Sequence, residues 1–435
     1  MIFEIENIGK VPKARLEMRG ITVLAGKNGT AKSTFGKALY CIFNAFYESD
    51  EEIMRIRKSD LEDIIIRSFR WSPRLAPTEM LAGNILDKKD SFQEVQKLIQ
   101  DAIEQNTMFP YEGDDDPMER LVKKISDCLD VSDAEIQKTI VERYLAAEFE
   151  GQTTHINRPK EHGTISLFFK NEQLKLSASV GKDSMGDDVC IDYKLNAHIT
   201  SRAFYVDTPF IVDAINRGVL SSTMSRRNSF RRYNHRNRIS GYFYYADNNS
   251  NISEEVISKK KLKGVLEHVY STVPGHFIKM ESGRLGFLEL GLAEPLELVN
   301  VSAGMKLFLI IRRLLETGAI KEEDILILDE PEIHLHPAWQ IRFAEMLVLL
   351  QKAFDLTILL TTHSPYFLHA IEVYSEKEEI ETDRCNYYYL TKGKNDSFHI
   401  QDVTEDTDEV YQELAEPFQT LDNEYYEYAE RKNGI

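Results

Sequence analysis

The chain has 435 residues, of which 42% are hydrophobic and 29% are charged, so it can form one large α/β core with insertions or two to three domains. Acidic residues outnumber basic ones by 71 to 53, and the net charge of −18 excludes general coating of nucleic acid, leaving only a local basic patch for such contacts. The chain has no apolar run near the roughly 20 residues that cross a bilayer, and its start lacks the basic and apolar regions of a secretory signal. We therefore expect a cytoplasmic protein without membrane contact.

The N-terminal residues follow the pattern of strand, glycine-rich turn and helix. Ile2 to Ile8 largely alternates apolar and polar side chains, which is the period of a half-buried strand. A second strand, Ile21 to Ala25, runs into a glycine-rich turn, and Lys32 to Phe46 carries apolar residues at helical spacing. This unit is typical of the opening of a nucleotide-binding sheet.

The turn matches the phosphate-loop pattern G-x-x-x-x-G-K-S/T, except that Ala31 stands at the second glycine. Alanine is acceptable at this position if it keeps a negative φ, as a residue at the start of a helix can. In such a loop the backbone amides surround the phosphates of ATP, Lys32 neutralises the β and γ oxygens, and the Ser33 hydroxyl binds Mg²⁺. The predicted nucleotide-binding residues are Gly26, Lys27, Asn28, Gly29, Thr30, Ala31, Lys32, Ser33 and Thr34.

A polar and helical pattern then occupies residues 48–147. An apolar stripe runs along one predicted helix, and Ser132 with Glu135 forms a capping box before another. We predict that this region is a helical insertion. The stripe consists of Phe92, Val95, Leu98, Ile99, Ala102 and Ile103.

Two apolar runs farther along the chain end in polar residues that suit phosphate chemistry. Ile325 to Leu328 is typical of a buried parallel strand, and we predict that Asp329 after it faces Mg²⁺ through water while Glu330 acts as general base on the attacking water. Leu356 to Leu360 is followed by His363, which can sense the γ-phosphate by hydrogen bonding. An ordinary acidic turn and a structural histidine are the alternative interpretations, and the phosphate loop upstream favours catalysis. The predicted catalytic residues are Lys32, Glu330 and His363.

These motifs resemble those of the ABC-class ATPases of the SMC, RecF and OLD type. That family has a serine-and-glycine signature before a helix, and here Ser302 and Gly304 precede the apolar run Leu307 to Leu315. Ala303 and Met305 depart from the commoner glycine and glutamine of the signature. The free amides at the helix start and the Ser302 hydroxyl can still bind a terminal phosphate.

The resemblance implies an α/β fold, with an ABC-type P-loop ATPase head that has a mixed sheet and inserted helical regions. Residues 1–47 and 148–435 would form the head, with a basic insertion at about 208–263, and residues 48–147 would form the helical insertion.

The resemblance also implies the cofactors ATP and Mg²⁺, with Gln152 as the candidate for the family's magnesium-contacting glutamine. It further implies that two heads enclose two nucleotides, and that each head presents Ser302 and Gly304 to the phosphate held by Lys32 of the other head. The chain has one set of motifs, so a closed site requires a homodimer or a multiple of one.

An arginine-rich segment lies between residues 217 and 238, with aromatic residues interleaved and no acid. Arginines with aromatics suit phosphate backbones and stacked bases, so nucleic acid is one candidate ligand. The alternative is pairing with acidic helices of a partner or of this same chain. The candidate contact residues are Arg226, Arg227, Arg231, Arg232 and Arg236.

The stretches DEPEIHLHPAWQ and TTHSPYFLHAIE resemble, more narrowly, the stand-alone ATPases of bacterial anti-phage systems such as PtuA of Septu and AriA of PARIS. This resemblance implies an ATP-hydrolysing sensor or scaffold that controls a separate nuclease or toxin through ATP-dependent head dimerisation. Asp406 to Asp408 has the letters of a TOPRIM nuclease motif but lies in a polar stretch, so we do not expect nuclease chemistry in this chain. Two alternatives stay open: a RecF-like or SMC-like repair or chromosome-maintenance ATPase that acts directly on DNA, and an ATP-bound scaffold with negligible turnover.

Overall fold

The computed structural model describes residues 1–71, 78–88, 92–104, 108–110, 117–169, 173–196, 198–215, 233–244, 263–380, 384–393 and 398–433. Within these ranges, no helix combines the length and the apolar character that crossing a membrane requires.

The strands are β1 (Ile2–Ile8), β2 (Val11–Glu17), β3 (Ile21–Gly26), β4 (Phe69–Trp71), β5 (Met108–Pro110), β6 (Gly163–Phe169), β7 (Leu174–Lys182), β8 (Asp188–Leu195), β9 (Ala203–Val206), β10 (Gly275–Lys279), β11 (Leu285–Glu289), β12 (Leu296–Glu297), β13 (Ile325–Asp329), β14 (Thr357–Thr362), β15 (Cys385–Lys392) and β16 (Phe398–Asp402). The helices are α1 (Lys32–Phe46), α2 (Ser49–Ser68), α3 (Thr78–Asp87), α4 (Phe92–Glu104), α5 (Pro117–Asp130), α6 (Asp133–Phe149), α7 (Ile211–Ile215), α8 (His235–Tyr244), α9 (263–272), α10 (Ala303–Glu316), α11 (Pro337–Phe354), α12 (Pro365–Lys377) and α13 (Asp408–Asn433). Short 3-10 turns cover Leu298–Asn300 and Pro331–His334.

The chain divides into two compact units. The larger unit comprises Met1–Asn44, Val141–Ala197 and Ser201–Ile435, and the smaller unit comprises Ala45–Ile140 and His198–Thr200.

A six-stranded sheet in the order β16-β15-β3-β14-β13-β9 forms the centre of the larger unit. Its strands pair in parallel, except that β16 is antiparallel to β15. Ala25 pairs with Thr362, and Asp329 pairs with Thr361, so the carboxyl ends of β3, β14 and β13 meet at one edge. This mixed sheet with its helices confirms the predicted α/β class.

A second sheet of the larger unit is antiparallel, in the order β2-β1-β6-β7-β8. The chain that follows α6 is bound to its first hairpin, because the Gly9 amide donates to the Thr153 carbonyl and the Ile156 amide donates to the Gly9 carbonyl, both at 2.9 Å. These two bonds hold Gln152 beside the turn that joins β1 to β2.

The main core joins the central sheet to the helices that follow it in sequence. Leu328 of β13, Leu309 of α10, Leu347 of α11 and Phe367 of α12 are all buried in this core. The helix predicted from the apolar run Leu307 to Leu315 begins four residues earlier, at Ala303, because Ser302 caps it.

In its described residues, the smaller unit contains the helices α2 to α5, the first part of α6 and the β4–β5 ribbon. Its core contains Val95, Ile99 and Ala102 of α4, which confirms the predicted apolar stripe at these positions. The capping box is confirmed as well, since the Ser132 amide donates to the Glu135 carboxylate at 2.9 Å and the Glu135 amide donates to the Ser132 hydroxyl at 3.3 Å.

Candidate nucleotide site

The phosphate loop is the turn between β3 and α1, at the carboxyl edge of the central sheet. Gly26 has no space for a side chain, because a Cβ atom there would lie 2.6 Å from the Leu390 carbonyl oxygen. Gly29 has a φ of +81°, a conformation that glycine adopts at little cost. The Thr30 hydroxyl donates to the Lys27 carbonyl at 2.8 Å and so closes the turn.

The exposed side chain of Lys27 connects this loop to α13. Its ammonium group lies 2.8 Å from the Glu413 carboxylate and 2.5 Å from the Glu416 carboxylate, and hydrogen bonding to these two acids raises the pKa of Lys27. The neighbouring Asn28 is exposed. Because both ion pairs are open to solvent, each contributes little to stability.

The condition for an unstrained Ala31 is not met. Its φ is +65°, in the left-handed region, whereas alanine is acceptable there with a negative value. The loop turns at this residue before α1 begins at Lys32, and the Thr34 amide donates to the Ala31 carbonyl at 3.0 Å. A side chain in this conformation costs about 1 kcal/mol or more, so Ala31 is strained where glycine would not be.

Lys32 points its ammonium group into the loop from the first turn of α1. The group donates to the Gly26 carbonyl at 2.7 Å and to the Lys27 carbonyl at 3.1 Å, and it lies 3.2 Å from the Glu330 carboxylate. Its side chain is only 3% exposed. A buried ammonium group held at this point can neutralise a phosphate, since the backbone amides at the start of α1 favour the same anion.

A cleft of about 350 Å³ opens beside the loop. It is bordered by the phosphate loop, by the β1–β2 turn and by the segment after α6, which brings Gln152 to the loop residues. The lining residues are Gly9, Lys10, Gly29, Thr30, Ala31, Lys32, Ser33, Thr34, Lys37, Phe149, Gln152, Ile156 and Glu330.

Asp329 ends β13 at the same edge of the sheet. Its Oδ1 accepts a hydrogen bond from the Thr361 hydroxyl at 2.5 Å, and its Oδ2 accepts one from the Tyr205 hydroxyl at 3.0 Å. Each oxygen keeps a second lone pair. One carboxylate with the Ser33 hydroxyl and phosphate or water oxygens is a set that Mg²⁺ uses, so these residues fit the metal. Gln152 and Ser33 line the same cleft.

Glu330 follows in the left-handed conformation, with a φ of +48°, and its amide donates to the Thr361 hydroxyl at 2.9 Å. This turn directs its carboxylate toward the cleft, where one oxygen lies 3.2 Å from the Lys32 ammonium and 3.7 Å from Nδ1 of His363. The His363 ring, together with the Lys32 ammonium, lowers the pKa of Glu330 to about 2. The carboxylate is therefore ionised at neutral pH.

His363 comes directly after β14 and is half-buried. Its Nδ1 lies 3.7 Å from the Glu330 carboxylate and 3.5 Å from the Glu332 carboxylate, and the first of these acids is the main cause of its raised pKa. The structure thus brings Lys32 and His363 to the same carboxylate, that of Glu330, and both Lys32 and Glu330 line the cleft.

The structure adds three residues that sequence reasoning left without a role: Tyr205, Thr361 and Glu332. Tyr205 and Thr361 hold Asp329, and Thr361 also holds the amide of Glu330. The position of the threonine beside a strand end that leads to a candidate histidine was a local signal for it. Tyr205 lies on β9, far away in sequence, and gave no such signal.

Ser302 and Gly304 lie at the start of α10. Ser302 is exposed, and its hydroxyl accepts a hydrogen bond from the Met305 amide at 3.4 Å. Gly304 permits close packing, since a Cβ atom there would lie 3.0 Å from the His334 carbonyl oxygen. Of the residues that the structure describes, neither Ser302 nor Gly304 borders the cleft of its own chain.

The arginine-rich segment lies mostly outside the described residues, including Arg226, Arg227, Arg231 and Arg232. Arg236 is described, and its Nε donates to the two Asp207 carboxylate oxygens at 3.2 Å and 3.1 Å. Arg238 donates to the Tyr144 hydroxyl. Both described arginines of the segment are therefore engaged by this same chain.

Comparison with known proteins agrees with this geometry. Residues 198–369 match the AAA_21 family, described as "AAA domain, putative AbiEii toxin, Type IV TA system", and this range contains Asp329, Glu330 and His363. The "Retron Ec83 probable ATPase" of Escherichia coli is 30% identical over 128 residues, which is 27% of this chain and 23% of the relative. The matched part thus spans about a quarter of that protein's length.

Among solved structures, the SMC head domain from Thermotoga maritima aligns at 10% identity and a TM-score of 0.36, over 92% of this chain and 98% of that chain. An Smc head bound to the C-winged helix domain of ScpA aligns at 10% identity and a TM-score of 0.42, over 92% of this chain and 96% of that chain.

The family match covers the acidic strand end and the histidine but begins after the phosphate loop, which the chain supplies on the neighbouring strand β3. Phosphate loop, acidic strand end and histidine meet at one edge of the central sheet. Together with the similarity of residues 198–369 to an ATPase family, this arrangement supports the resemblance to P-loop ATPases that the motifs indicate.

Proposed function

We propose that this chain binds and hydrolyses ATP as a subunit of a bacterial anti-phage defence complex, and that it controls a separate nuclease or toxin through ATP-dependent head dimerisation. The observation that best supports hydrolysis is that the Lys32 ammonium and the His363 ring both lie within 4 Å of the Glu330 carboxylate, which lines the cleft. The toxin–antitoxin description of the matched family and the retron relative support the defence role.

In this proposal the γ-phosphate of ATP binds the Lys32 ammonium group in place of the Glu330 carboxylate. Glu330 then loses one of the two positive charges that lower its pKa, so its carboxylate becomes a better proton acceptor. Glu330 accepts a proton from water as the water oxygen bonds to the γ-phosphorus, and the bond from phosphorus to the β,γ-bridging oxygen breaks to give ADP and phosphate. Mg²⁺, held by the Ser33 hydroxyl and through water by Asp329, would neutralise charge on the phosphates.

His363 has the role of a γ-phosphate sensor in this scheme. Its ring is half-buried beside Glu330, and its raised pKa favours the protonated ring, which can donate to a phosphate oxygen. Gln152, which lines the same cleft as Ser33, would contact the magnesium shell.

A second copy of the chain would complete the site. Ser302 is exposed at the start of α10, where free amides and the hydroxyl can bind a phosphate, yet it lies away from the cleft of its own chain among the described residues. A homodimer in which each Ser302 faces the other copy's phosphate loop satisfies both observations. Formation and opening of that dimer would be the signal that an effector reads.

The ATPase proposal is tested by steady-state hydrolysis and by nucleotide binding. We expect Lys32→Ala to lose ATP binding, and Glu330→Gln to keep binding while its turnover falls by about 10² to 10⁴. Lys352→Ala is the matched control and should behave as wild type. It removes an exposed lysine of α11 that is paired with Glu378. Equal turnover in wild type and Glu330→Gln would remove Glu330 as the base.

The defence proposal is tested in bacteria that co-express this chain and the neighbouring gene and are then challenged with phage. Wild type should protect, and Lys32→Ala should not. Protection that survives Lys32→Ala would contradict ATP-dependent control. Salt-dependent binding to duplex DNA that disappears when Arg226, Arg227, Arg231 and Arg232 are neutralised would instead favour direct action on DNA.

A further inference from the structure

We propose that Glu332 is a positioning residue for His363, which it holds from the core side while Glu330 faces the same ring from the cleft. The inference rests on the proposed ATPase function, in which His363 senses the γ-phosphate. Glu332 itself is 2% exposed and does not border the cleft, so it acts through the histidine.

A single carboxylate oxygen of Glu332 lies next to both the backbone and the ring of His363. Oε1 of Glu332 accepts a hydrogen bond from the Thr362 hydroxyl at 2.6 Å and one from the His363 amide at 2.9 Å. The same oxygen lies 3.5 Å from Nδ1 of the His363 ring. One oxygen therefore fixes the backbone on which the ring is mounted and also attracts the ring.

Burying the Glu332 carboxylate costs stability. Oε2 of Glu332 is buried and, in the part of the chain that the structure describes, receives no hydrogen bond. Burial accordingly raises the pKa of Glu332. A purely structural position would be served better by an uncharged side chain, because a buried carboxylate with one unpaired oxygen is destabilising. The protonated His363 ring is the nearby positive charge that compensates it.

A network of hydrogen bonds continues from the Glu332 carboxylate. The Thr362 hydroxyl accepts a bond from the Ser364 amide at 3.0 Å, and the Ser364 hydroxyl donates to the Gln340 side-chain carbonyl at 2.8 Å. The Gln340 amide group returns to the Glu332 carbonyl at 3.3 Å. This closed circuit of hydrogen bonds joins the turn after Glu330 to the segment that bears His363, so the two cannot shift independently.

Glu332 affects the orientation of His363 most at the moment of hydrolysis. When Glu330 takes up a proton, it stops attracting the His363 ring, and Glu332 remains as the only carboxylate within 4 Å of Nδ1 among the described residues. Glu332 thus keeps the ring oriented and protonated toward the γ-phosphate through the step. The charged groups that face the ring are Glu330, Glu332 and Lys32.

The test is the Glu332→Gln variant, which keeps the shape and one acceptor oxygen but removes the charge. We expect the pKa of His363, measured by NMR on the histidine-labelled chain of 435 residues and assigned with His363→Asn, to fall by about one unit or more. We expect kcat for ATP to fall several-fold while KM changes less than twofold, and the fall in kcat to be greatest on the alkaline side of the new pKa. Glu345→Gln is the matched control, since Glu345 lies 3.7 Å from Nδ1 of His268 at a distance from the cleft, and it should alter neither quantity.

Two further results decide the outcome. Glu332→Asp keeps the charge, so it should retain a higher His363 pKa than Glu332→Gln even if both variants lower the melting temperature equally. An unchanged His363 pKa in folded Glu332→Gln, or equal values in the Gln and Asp variants, would overturn the proposal. The NMR readout does not require turnover, so a wild type that fails to hydrolyse ATP would refute the proposed function and leave the positioning of His363 separately tested.

Discussion

Replacing Ala31 by glycine should leave the protein as stable as wild type or make it more stable. The left-handed φ of +65° costs a residue with a Cβ atom about 1 to 2 kcal/mol. Glycine removes that cost, but it also increases the conformational entropy of the unfolded chain, which lowers the stability by about 0.4 to 1 kcal/mol. The net expectation is a gain of up to about 1.6 kcal/mol, which corresponds to an increase of up to about 2 °C in Tm for a chain of this size.

The assay is urea unfolding of the ligand-free protein, monitored by circular dichroism, with thermal melting as a second measurement. The matched control is Ala338→Gly, because Ala338 is an exposed alanine in the first turn of α11 that has no positive φ. Glycine there should destabilise by about 0.5 to 1 kcal/mol. A loss for Ala31→Gly as large as that for Ala338→Gly would refute the strained conformation and restore the ordinary helix-start geometry that the sequence suggested.

Three further predictions concern the edge of the central sheet. Gly26→Ala should destabilise by about 1 to 3 kcal/mol and weaken nucleotide binding, because its Cβ would lie 2.6 Å from the Leu390 carbonyl oxygen; an unchanged melting temperature and ATP affinity by calorimetry would contradict this contact. Thr361→Val should cost about 1 to 3 kcal/mol in urea unfolding, since it removes a donor to Asp329 and the acceptor of a backbone amide, whereas Thr361→Ser should recover most of that loss. Folding lowers the pKa of Glu330 from 4.5 to about 2, chiefly through a neighbouring histidine, so its contribution is present above pH 4.5 and is lost as the pH falls toward 2. The unfolding free energy of wild type should therefore drop relative to Glu330→Gln between pH 5 and pH 3, and parallel curves for the two proteins would disprove that shift.

The parts of the candidate site that are contiguous in sequence could be predicted from local patterns. The phosphate loop lies between an apolar strand and a helix. The spacing of apolar residues predicted the bounds of that helix, Lys32–Phe46. Asp329 and Glu330 follow an apolar strand directly, and parallel strands place their carboxyl ends at one edge. Residue type and strand direction were therefore enough to bring these groups together.

The supporting residues could not be predicted in the same way. Tyr205 reaches Asp329 because β9 is the neighbour of β13, and the order of strands far apart in sequence is not encoded in local periodicity. Glu332 follows a proline in a polar stretch, where a glutamate usually stays in water, and only the packing of its turn beneath the end of β14 buries it. The positive φ of Ala31 does not follow from helix-start preferences, because this residue still belongs to the loop.

The most direct test of the shared ATP site is a mixing experiment with two inactive variants, Lys32→Ala and Ser302→Ala. In a mixed dimer, the copy that carries Ser302→Ala supplies an intact phosphate loop, and the copy that carries Lys32→Ala supplies an intact Ser302. Equal mixing should then restore up to about a quarter of wild-type ATP turnover, because about half of the dimers contain one complete site out of two. Turnover that stays at the level of the separate variants, in a mixture shown to exchange subunits, would contradict a site built from two chains.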